Sequence, residues 1–200
     1  MELLDCFKAF DIILASQSPR RHALMKAAGI PFRTMVRPTE EAVPPGMAPL
    51  DVVLHLCREK ADCFPGEIKD PAVVLITADT IVVHRGEIIN KPADAPDAIR
   101  MLGRLSGSTH EVYTGVCIRH GLREVLVHDH SFVTFRPLRE EEIRHYVAHY
   151  APYDKAGAYG IQDWIGYIGI TAIRGSYHNV MGLPIHKVYE VLSDLLCSRP

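Results

Sequence analysis

The sequence predicts an α/β protein with a mixed central sheet flanked by helices. In the first third of the chain, short apolar strand patterns alternate with helical patterns, which is typical of parallel βαβ units. In the middle, two long strand patterns are separated by only three residues, and so short a connection favours antiparallel neighbours. A sheet with both kinds of pairing is therefore expected, rather than a fully parallel one.

The N-terminal part of the chain supplies the parallel units. Its first helix has clear boundaries, because Ser18 is a good N-cap, Pro19 suits the first helical position, and Gly29 ends the pattern. A second helix is predicted by apolar residues at helical spacing. The predicted elements are strands over 11–15 and 32–36 and helices over 19–28 and 50–64.

The middle of the chain contains the longest apolar run, which predicts a buried strand over 73–83. Arg85-Gly86 predicts a tight turn after it, and therefore a hairpin. The elements predicted to follow are a strand over 87–90, a helix over 94–105, and strands over 110–119 and 123–135.

The C-terminal part predicts two further helices. Three glutamates occupy the first turn of a helix over 139–149, the end of a helix where negative charge is favourable. Residues 150–182 are rich in glycine and contain strand-like pieces. Residues 183–196 predict the closing helix.

Composition restricts the function classes. The 200 residues fit one domain over 1–200, with room for two lobes around a cleft. The net charge of -2 is not basic enough for nucleic acid to be the main partner. No apolar run reaches the roughly 18 residues that span a bilayer, so no membrane partner is expected.

The cysteines predict a reducing compartment. Five are scattered along the chain without a C-x-x-C pair, so free thiols are expected rather than a disulfide framework or a zinc site. The N-terminal segment has no apolar core of a signal peptide. Together these observations predict a cytoplasmic protein.

The segment from Ser16 to Arg21 is the first candidate site. Arg20 and Arg21 lie in the first turn of the predicted helix, where the macrodipole is already positive. Hydroxyl groups, free backbone N–H groups and two guanidinium groups together favour an anion, and phosphate is the usual one. The alternative is that both arginines pair with surface carboxylates.

Asp79 is the second candidate, because it interrupts an otherwise apolar strand. An unpaired buried carboxylate is costly, so Asp79 must face a polar cleft, bind a metal or pair with a cation. The structural alternative is an internal ion pair with an arginine or lysine. Thr80 points to the opposite face of a regular strand.

Further polar residues complete a hypothetical phosphate site. Glu41 and Asp79 would supply carboxylates for a metal ion, and Gln162 could read a base edge because its amide both donates and accepts. P-loop, Rossmann and G-x-S-x-G motifs are absent from the sequence. The cations available for phosphate are Arg20, Arg21, Lys60 and Lys91.

An ordered set of motifs extends over nearly the whole chain. Any one could occur by chance, but the complete set is specific. The set comprises Leu14-Ala15-Ser16-x-Ser18-Pro19-Arg20-Arg21, Glu41, Arg58-Glu59-Lys60-Ala61, Ala78-Asp79-Thr80-Ile81-Val82, Asn90-Lys91-Pro92, Leu105-Ser106-Gly107-x-Thr109-His110-x-Val112, Asp154-Lys155-Ala156-Gly157-Ala158-Tyr159-Gly160-Ile161-Gln162, Gly175-Ser176-Tyr177 and Gly182-Leu183-Pro184. It resembles the Maf family of nucleotide pyrophosphatases.

The resemblance implies a fold and a reaction. The fold is a strongly twisted mixed sheet with two lobes around a cleft, similar to inosine triphosphate pyrophosphatases, in a homodimer. The reaction is hydrolysis of nucleoside triphosphates between the α- and β-phosphates, a house-cleaning role linked to cell-division arrest, with a divalent cation (Mg²⁺, Mn²⁺ or Co²⁺). The loop ending at Gln162 resembles the subgroup that acts on dTTP, UTP and modified pyrimidine triphosphates.

The resemblance also assigns roles to residues. Asp79 matches the catalytic aspartate, and with Glu41 it would bind the metal. Substrate-binding positions match Ser16, Arg20, Arg21, Lys60, Thr80, Lys91, Lys155 and Gln162. Asp163-Trp164 departs from the family pattern, which usually has glycine and small apolar residues there.

Two other functions are compatible with the sequence. One is a pyrophosphatase specific for 7-methyl-GTP or purines. The other is a non-catalytic nucleotide-binding regulator of cell division, against which the intact Asp79, Glu41 and Lys91 argue.

Overall fold

The computed structural model describes residues 4–39 and 43–197 and shows a mixed α/β fold. Its helices, in chain order, are α1 (Pro19–Ala27), α2 (Pro49–Asp62), α3 (Ala95–Leu105), α4 (Glu140–Tyr150), α5 (Trp164–Gly169), α6 (Tyr177–Val180) and α7 (Ile185–Leu196). Its strands are β1 (Asp11–Leu14), β2 (Arg33–Thr34), β3 (Val73–His84), β4 (Glu87–Ile89), β5 (Thr109–His120), β6 (Arg123–Phe135) and β7 (Ile170–Arg174). Short 3-10 turns occupy Asp5–Ala9, Glu67–Lys69 and Ala156–Ala158.

The strands of the described chain form one sheet of seven, in the order β2-β1-β3-β5-β6-β7, with β4 beside β3. Strand β1 runs parallel to β2 and β3, whereas β4 is antiparallel to β3 and β7 is antiparallel to β6. The mixed sheet flanked by helices is therefore confirmed. Arg85 and Gly86 both have positive φ (53° and 79°), which is the backbone of the predicted hairpin turn.

The chain divides into two compact units. The first comprises Met1–Asp79, Thr114–Asp129 and Gly182–Pro200, and the second comprises Thr80–Tyr113 and His130–Met181, within the described ranges. Part of the core of the first unit is built by Ile13, Cys57, Ala61, Phe64, Val73, Leu75 and Cys117. In the second unit, the core lies where α3, α4 and the segment from Ala158 to Ile165 pack on the sheet. The prediction of a single domain over 1–200 stays a prediction.

Two predicted elements differ from the structure. The strand expected over 32–36 is reduced to Arg33–Thr34, whose side chains are exposed and supply no apolar face to extend it. In 150–182, strand-like pieces were expected, but the regular elements described there are one strand and short helices. Gly157, Gly175 and Gly182 in this segment have positive φ, a backbone conformation that glycine adopts without steric cost.

The cysteine prediction is wrong in part. Cys6 and Cys197 form a disulfide, with their Cα atoms 5.4 Å apart. The sequence could not indicate this bond because 191 residues separate the two cysteines. Cys57, Cys63 and Cys117 are free thiols, as predicted, and burial raises the pKa of Cys57 to about 12. None of the helices in the described ranges is long and apolar enough to cross a membrane.

A buried histidine lies in the core of the second unit. His110 is 1% exposed, and its Nε2 is 2.7 Å from the hydroxyl oxygen of Tyr159. Its Nδ1 is buried without a hydrogen-bond partner among the described residues. Burial, and to a smaller extent nearby His84, lowers the pKa of His110 to about 3. The folded protein therefore holds His110 neutral at pH values where an unfolded chain protonates it.

We expect this histidine to make the fold acid-sensitive. Because its pKa is depressed in the folded state, its neutral form stabilises the protein above the unfolded pKa near 6.5, and this contribution falls as pH drops toward 3. Going from about pH 7.5 to about pH 5, the free energy of unfolding should fall by about 2 kcal/mol more than in His110→Gln. Urea unfolding of both proteins at the two pH values measures this. An equal loss in the variant would show that His110 is not responsible.

Candidate active site

The start of α1 has the predicted capped geometry. Ser18 is the N-cap, and its side-chain oxygen accepts the backbone N–H of Arg21 at 3.5 Å. Pro19 occupies the first turn, where its missing N–H costs nothing. The Oγ of Ser16, a buried residue, accepts the backbone N–H of Ser18 at 3.2 Å. This local network fixes the turn that precedes the helix.

Arg21 connects this turn to the neighbouring backbone. Its Nε donates to the carbonyl of Gly182 at 2.7 Å, and its Nη1 donates to the carbonyl of Ala78 at 2.8 Å. The same Nη1 lies 3.3 Å from Ser16 Oγ. Arg21 therefore holds the turn beside the strand residue that precedes Asp79. Arg20 lies next to it in the first turn with a half-buried side chain.

Asp79 forms an ion pair with Lys60. Asp79 lies on β3 and Lys60 near the end of α2, and Lys60 Nζ donates to Asp79 Oδ1. Both side chains are largely buried, with 16% of Lys60 and 12% of Asp79 exposed. The ion pair weighed as a structural alternative is thus present. It joins two residues that the sequence also assigned to the site.

A second contact holds α2 against β3. Thr77 lies two residues before Asp79, on the same face of the strand, and is fully buried. Its hydroxyl donates to the carbonyl of Cys57 at 2.5 Å. Cys57 is almost one helical turn before Lys60. This bond sets the position of α2 along β3 and so places Lys60 beside the aspartate.

A loop in the second unit contains two more predicted residues. Gln162 Nε2 donates to Asp163 Oδ1 at 3.0 Å. Asp163 Oδ2 accepts the hydroxyl of Tyr146 at 2.7 Å, and that hydroxyl accepts the backbone N–H of Gly160 at 3.1 Å. Lys155 Nζ is 2.7 Å from Asp154 Oδ1 and 3.9 Å from Asp163 Oδ2.

The segment of Lys91 reaches the same loop. The carbonyl of Asn90 accepts the backbone N–H of Gly157 at 3.2 Å, which places the Asn90-Lys91 segment beside the turn that follows Lys155. Lys91 itself is exposed. Thr80 also belongs to this unit and is half-buried on β3.

The predicted site residues thus fall into two groups. The first unit contains Ser16, Arg20, Arg21, Lys60 and Asp79, and the second contains Thr80, Lys91, Lys155 and Gln162. Within the first, contacts join Ser16 to Arg21 and Lys60 to Asp79. Glu41 lies outside the described residues. Sequence reasoning assigned no role to Tyr146 and treated Asp163 only as a departure. The available signal was that an acidic residue, Asp163, directly follows the amide residue Gln162.

The donor chemistry of the site fits a hard divalent cation only in part. Carboxylate oxygens are the ligands that Mg²⁺ prefers, and Mg²⁺ keeps several waters, so few protein ligands suffice. Asp79 is the carboxylate that the described residues offer at this position. Across the described ranges, no group of three or more histidine, cysteine, aspartate or glutamate side chains could hold a metal.

Comparison with known proteins identifies the family. The model of the family described as Maf-like protein matches residues 11–195. The chain belongs to this family. Relatives of this Maf-like chain include a dTTP/UTP pyrophosphatase of Flavobacterium johnsoniae, 44% identical over 97% of this chain and 100% of the relative. Another, from Porphyromonas gingivalis, bears the same name and is 48% identical over 96% of this chain and 98% of the relative.

A third relative and one solved structure complete the comparison. The dTTP/UTP pyrophosphatase of Bacteroides thetaiotaomicron is 46% identical over 93% of this chain and 96% of the relative. The solved structure is that of a HAM1 protein from Coxiella burnetii. It covers 63% of this chain and 73% of its own, with a TM-score of 0.38 and 11% identity. The assignment to the Maf-like family rests on the family model and the sequence relatives.

Proposed function

We propose that this Maf-like chain hydrolyses dTTP, UTP and modified pyrimidine triphosphates to the monophosphate and pyrophosphate. The observation that carries the proposal is the largely buried carboxylate of Asp79, held by Lys60 beside the arginine-anchored start of α1. Folding does not require a charged residue in this apolar strand, because well-packed apolar residues in place of a buried ion pair are often equally stabilising. Full-length relatives named dTTP/UTP pyrophosphatase support the same reaction.

The chemistry follows from the side chains. A water oxygen attacks the α-phosphorus as Asp79 accepts a proton from that water. The bond from the α-phosphorus to the oxygen that bridges it to the β-phosphorus breaks, and its electron pair leaves with pyrophosphate. Lys60 pairs with Asp79 and holds its carboxylate in place. Arg20, Lys91 and Lys155 are the cations assigned to the negative charge of the triphosphate.

A divalent cation completes this proposal. Asp79 and Glu41 would hold it, and when bound it supplies charge neutralisation for the phosphates and lowers the pKa of a coordinated water. The homodimer is proposed on the resemblance alone. The cytoplasmic location stays a prediction. The Cys6–Cys197 disulfide removes the support that it drew from the expectation of free thiols.

A triphosphate panel tests the function. Purified protein with Mg²⁺, Mn²⁺ or Co²⁺ should release pyrophosphate from dTTP and UTP, with kcat/KM at least about tenfold above that for GTP, ATP or 7-methyl-GTP. Pyrophosphate and monophosphate are measured together to place the cleavage between the α- and β-phosphates. A preference for 7-methyl-GTP would reassign the substrate, and UTP binding without any hydrolysis would indicate the non-catalytic regulator.

A further inference from the structure

The amide of Gln162 has a fixed orientation in this structure. Its side-chain nitrogen faces the carboxylate of Asp163, 3.0 Å from Oδ1. An ionised carboxylate only accepts hydrogen bonds, so the amide atom that faces it must be the nitrogen. The other carboxylate oxygen accepts the hydroxyl of Tyr146 at 2.7 Å. Asp163 is therefore held from two sides and determines which way the amide of Gln162 points.

The opposite side of this amide is left unsatisfied. Gln162 Oε1 is buried and has no hydrogen-bond partner among the described residues. A buried acceptor without a hydrogen-bond partner costs free energy. A ligand that donates a hydrogen bond to Oε1 would remove this cost and bind more tightly. The nitrogen also has a second N–H besides the one directed at Asp163. The amide thus offers an acceptor and a donor in one fixed order.

Close packing maintains this arrangement. A Cβ at Gly160 would lie 2.4 Å from Asp163 Oδ2 and 2.8 Å from Gln162 Nε2, so the loop backbone covers both side chains. Lys155 Nζ lies 3.9 Å from Asp163 Oδ2, and the attraction between the two charges helps to hold this carboxylate in place. The hydroxyl of Tyr146 is itself tied to the backbone N–H of Gly160.

We infer that Asp163 is a positioning residue that fixes the Gln162 amide so that the site selects uracil and thymine over cytosine. Uracil and thymine present an N3–H donor beside carbonyl acceptors, which complements an amide with a free Oε1. Cytosine in the same pose has an acceptor at N3 and an amino group at position 4, so donor and acceptor are exchanged. This inference rests on the proposed function, because it assumes that the base reaches Gln162.

The isosteric variant Asp163→Asn tests the inference. The asparagine oxygen should keep the Tyr146 hydroxyl, so its amino group faces Gln162 and turns that amide by 180°. The ratio of kcat/KM for UTP to that for CTP should fall by about tenfold or more. The change should come mainly from KM, with kcat for UTP altered less than about threefold. Direct binding of the non-hydrolysable α,β-imido analogues of UTP and CTP should show the same loss of selectivity.

Two variants separate orientation from charge and from packing. Asp154→Asn removes the same charge from the same loop, at a carboxylate that pairs with Lys155. Tyr146→Phe removes one support of Asp163 and leaves the carboxylate facing Gln162. Both should keep the wild-type selectivity between the two analogues. Thermal unfolding of each variant verifies that the proteins compared are folded.

The outcomes distinguish this inference from the proposed function. If wild-type protein binds the UTP analogue selectively but releases no pyrophosphate from UTP, the proposed function is refuted. The inference is then decided by the binding selectivity of the variants alone. Unchanged selectivity in folded Asp163→Asn, or an equal loss in Asp154→Asn, overturns the inference while hydrolysis of UTP still supports the function. Wild-type protein that binds both analogues equally, or neither, also overturns it.

Discussion

Replacing Asp79 with asparagine should lower kcat for pyrophosphate release from UTP by about 10³-fold, because a positioned general base contributes roughly 10² to 10⁴ in rate. The amide keeps the size of the carboxylate but cannot accept a proton at neutral pH. It also removes the negative charge that faces Lys60 and a proposed metal ligand. Initial rates with saturating UTP and Mn²⁺ measure the loss.

Stability must be measured with activity in this variant. Removing one partner of a buried ion pair leaves the other charge uncompensated, at a cost of about 3–5 kcal/mol for complete burial. The Lys60–Asp79 pair is 12–16% exposed, so a smaller loss is expected. Rates are therefore compared at a temperature where circular dichroism shows both proteins folded.

A charge-matched control isolates the role of Asp79. Asp62 lies on the same helix as Lys60, is 55% exposed and pairs with Arg119 at 2.6 Å. Asp62→Asn should keep kcat within about twofold of wild type, because Asp62 is exposed and Arg119 retains its ion pair with Glu124. If folded Asp79→Asn retained turnover within tenfold of wild type, Asp79 would not be the general base.

The sequence predicted much of the site because local chemistry marks it. Ser18 and Pro19 identify the start of α1 through capping rules that need only neighbouring residues. Asp79 stands out because a charge interrupts an apolar strand, and Arg85-Gly86 marks its hairpin through turn geometry. These signals act over a few residues, so the printed sequence contains them.

The partners of these residues could not be predicted in the same way. Arg21 was assigned to phosphate, yet its guanidinium group donates to the carbonyls of Ala78 and Gly182, 57 and 161 residues away. A backbone carbonyl is present at every residue, so no side-chain pattern indicates which one an arginine will meet. Arg21 is therefore at least partly a structural residue that positions the strand before Asp79.

The loop ahead of α5 shows the same limit in the second unit. The sequence indicated Gln162 through its amide and through the resemblance, but the carboxylate that orients this amide belongs to Asp163, which Tyr146 on α4 contacts in turn. Tyr146 occupies a buried position of a helix, where an aromatic residue is expected for packing, so the sequence pattern gives no sign that its hydroxyl has a polar partner. Only tertiary contacts disclose its second role.

Replacing Gly166 with alanine should destabilise the protein by about 3 kcal/mol or more, the upper range for overpacking. A Cβ at this buried residue of α5 would lie 2.0 Å from the carbonyl oxygen of Ile161 and 2.6 Å from its carbonyl carbon. Both are backbone atoms, so no side-chain rotation can relieve the contact. The backbone that carries Gln162 must move, and binding of the UTP analogue should weaken with it. Urea unfolding and calorimetry measure the two effects.

The same substitution elsewhere in the second unit should act in the opposite direction. Gly103 is exposed within α3, and a Cβ there meets no atom within 4 Å. Gly103→Ala should therefore raise the free energy of unfolding by about 0.5–1 kcal/mol, because alanine is the better helix former. Opposite signs for the two variants would assign the loss at Gly166 to the approach of α5 to the Ile161 carbonyl. A Gly166→Ala protein as stable as wild type would show that this approach is not required.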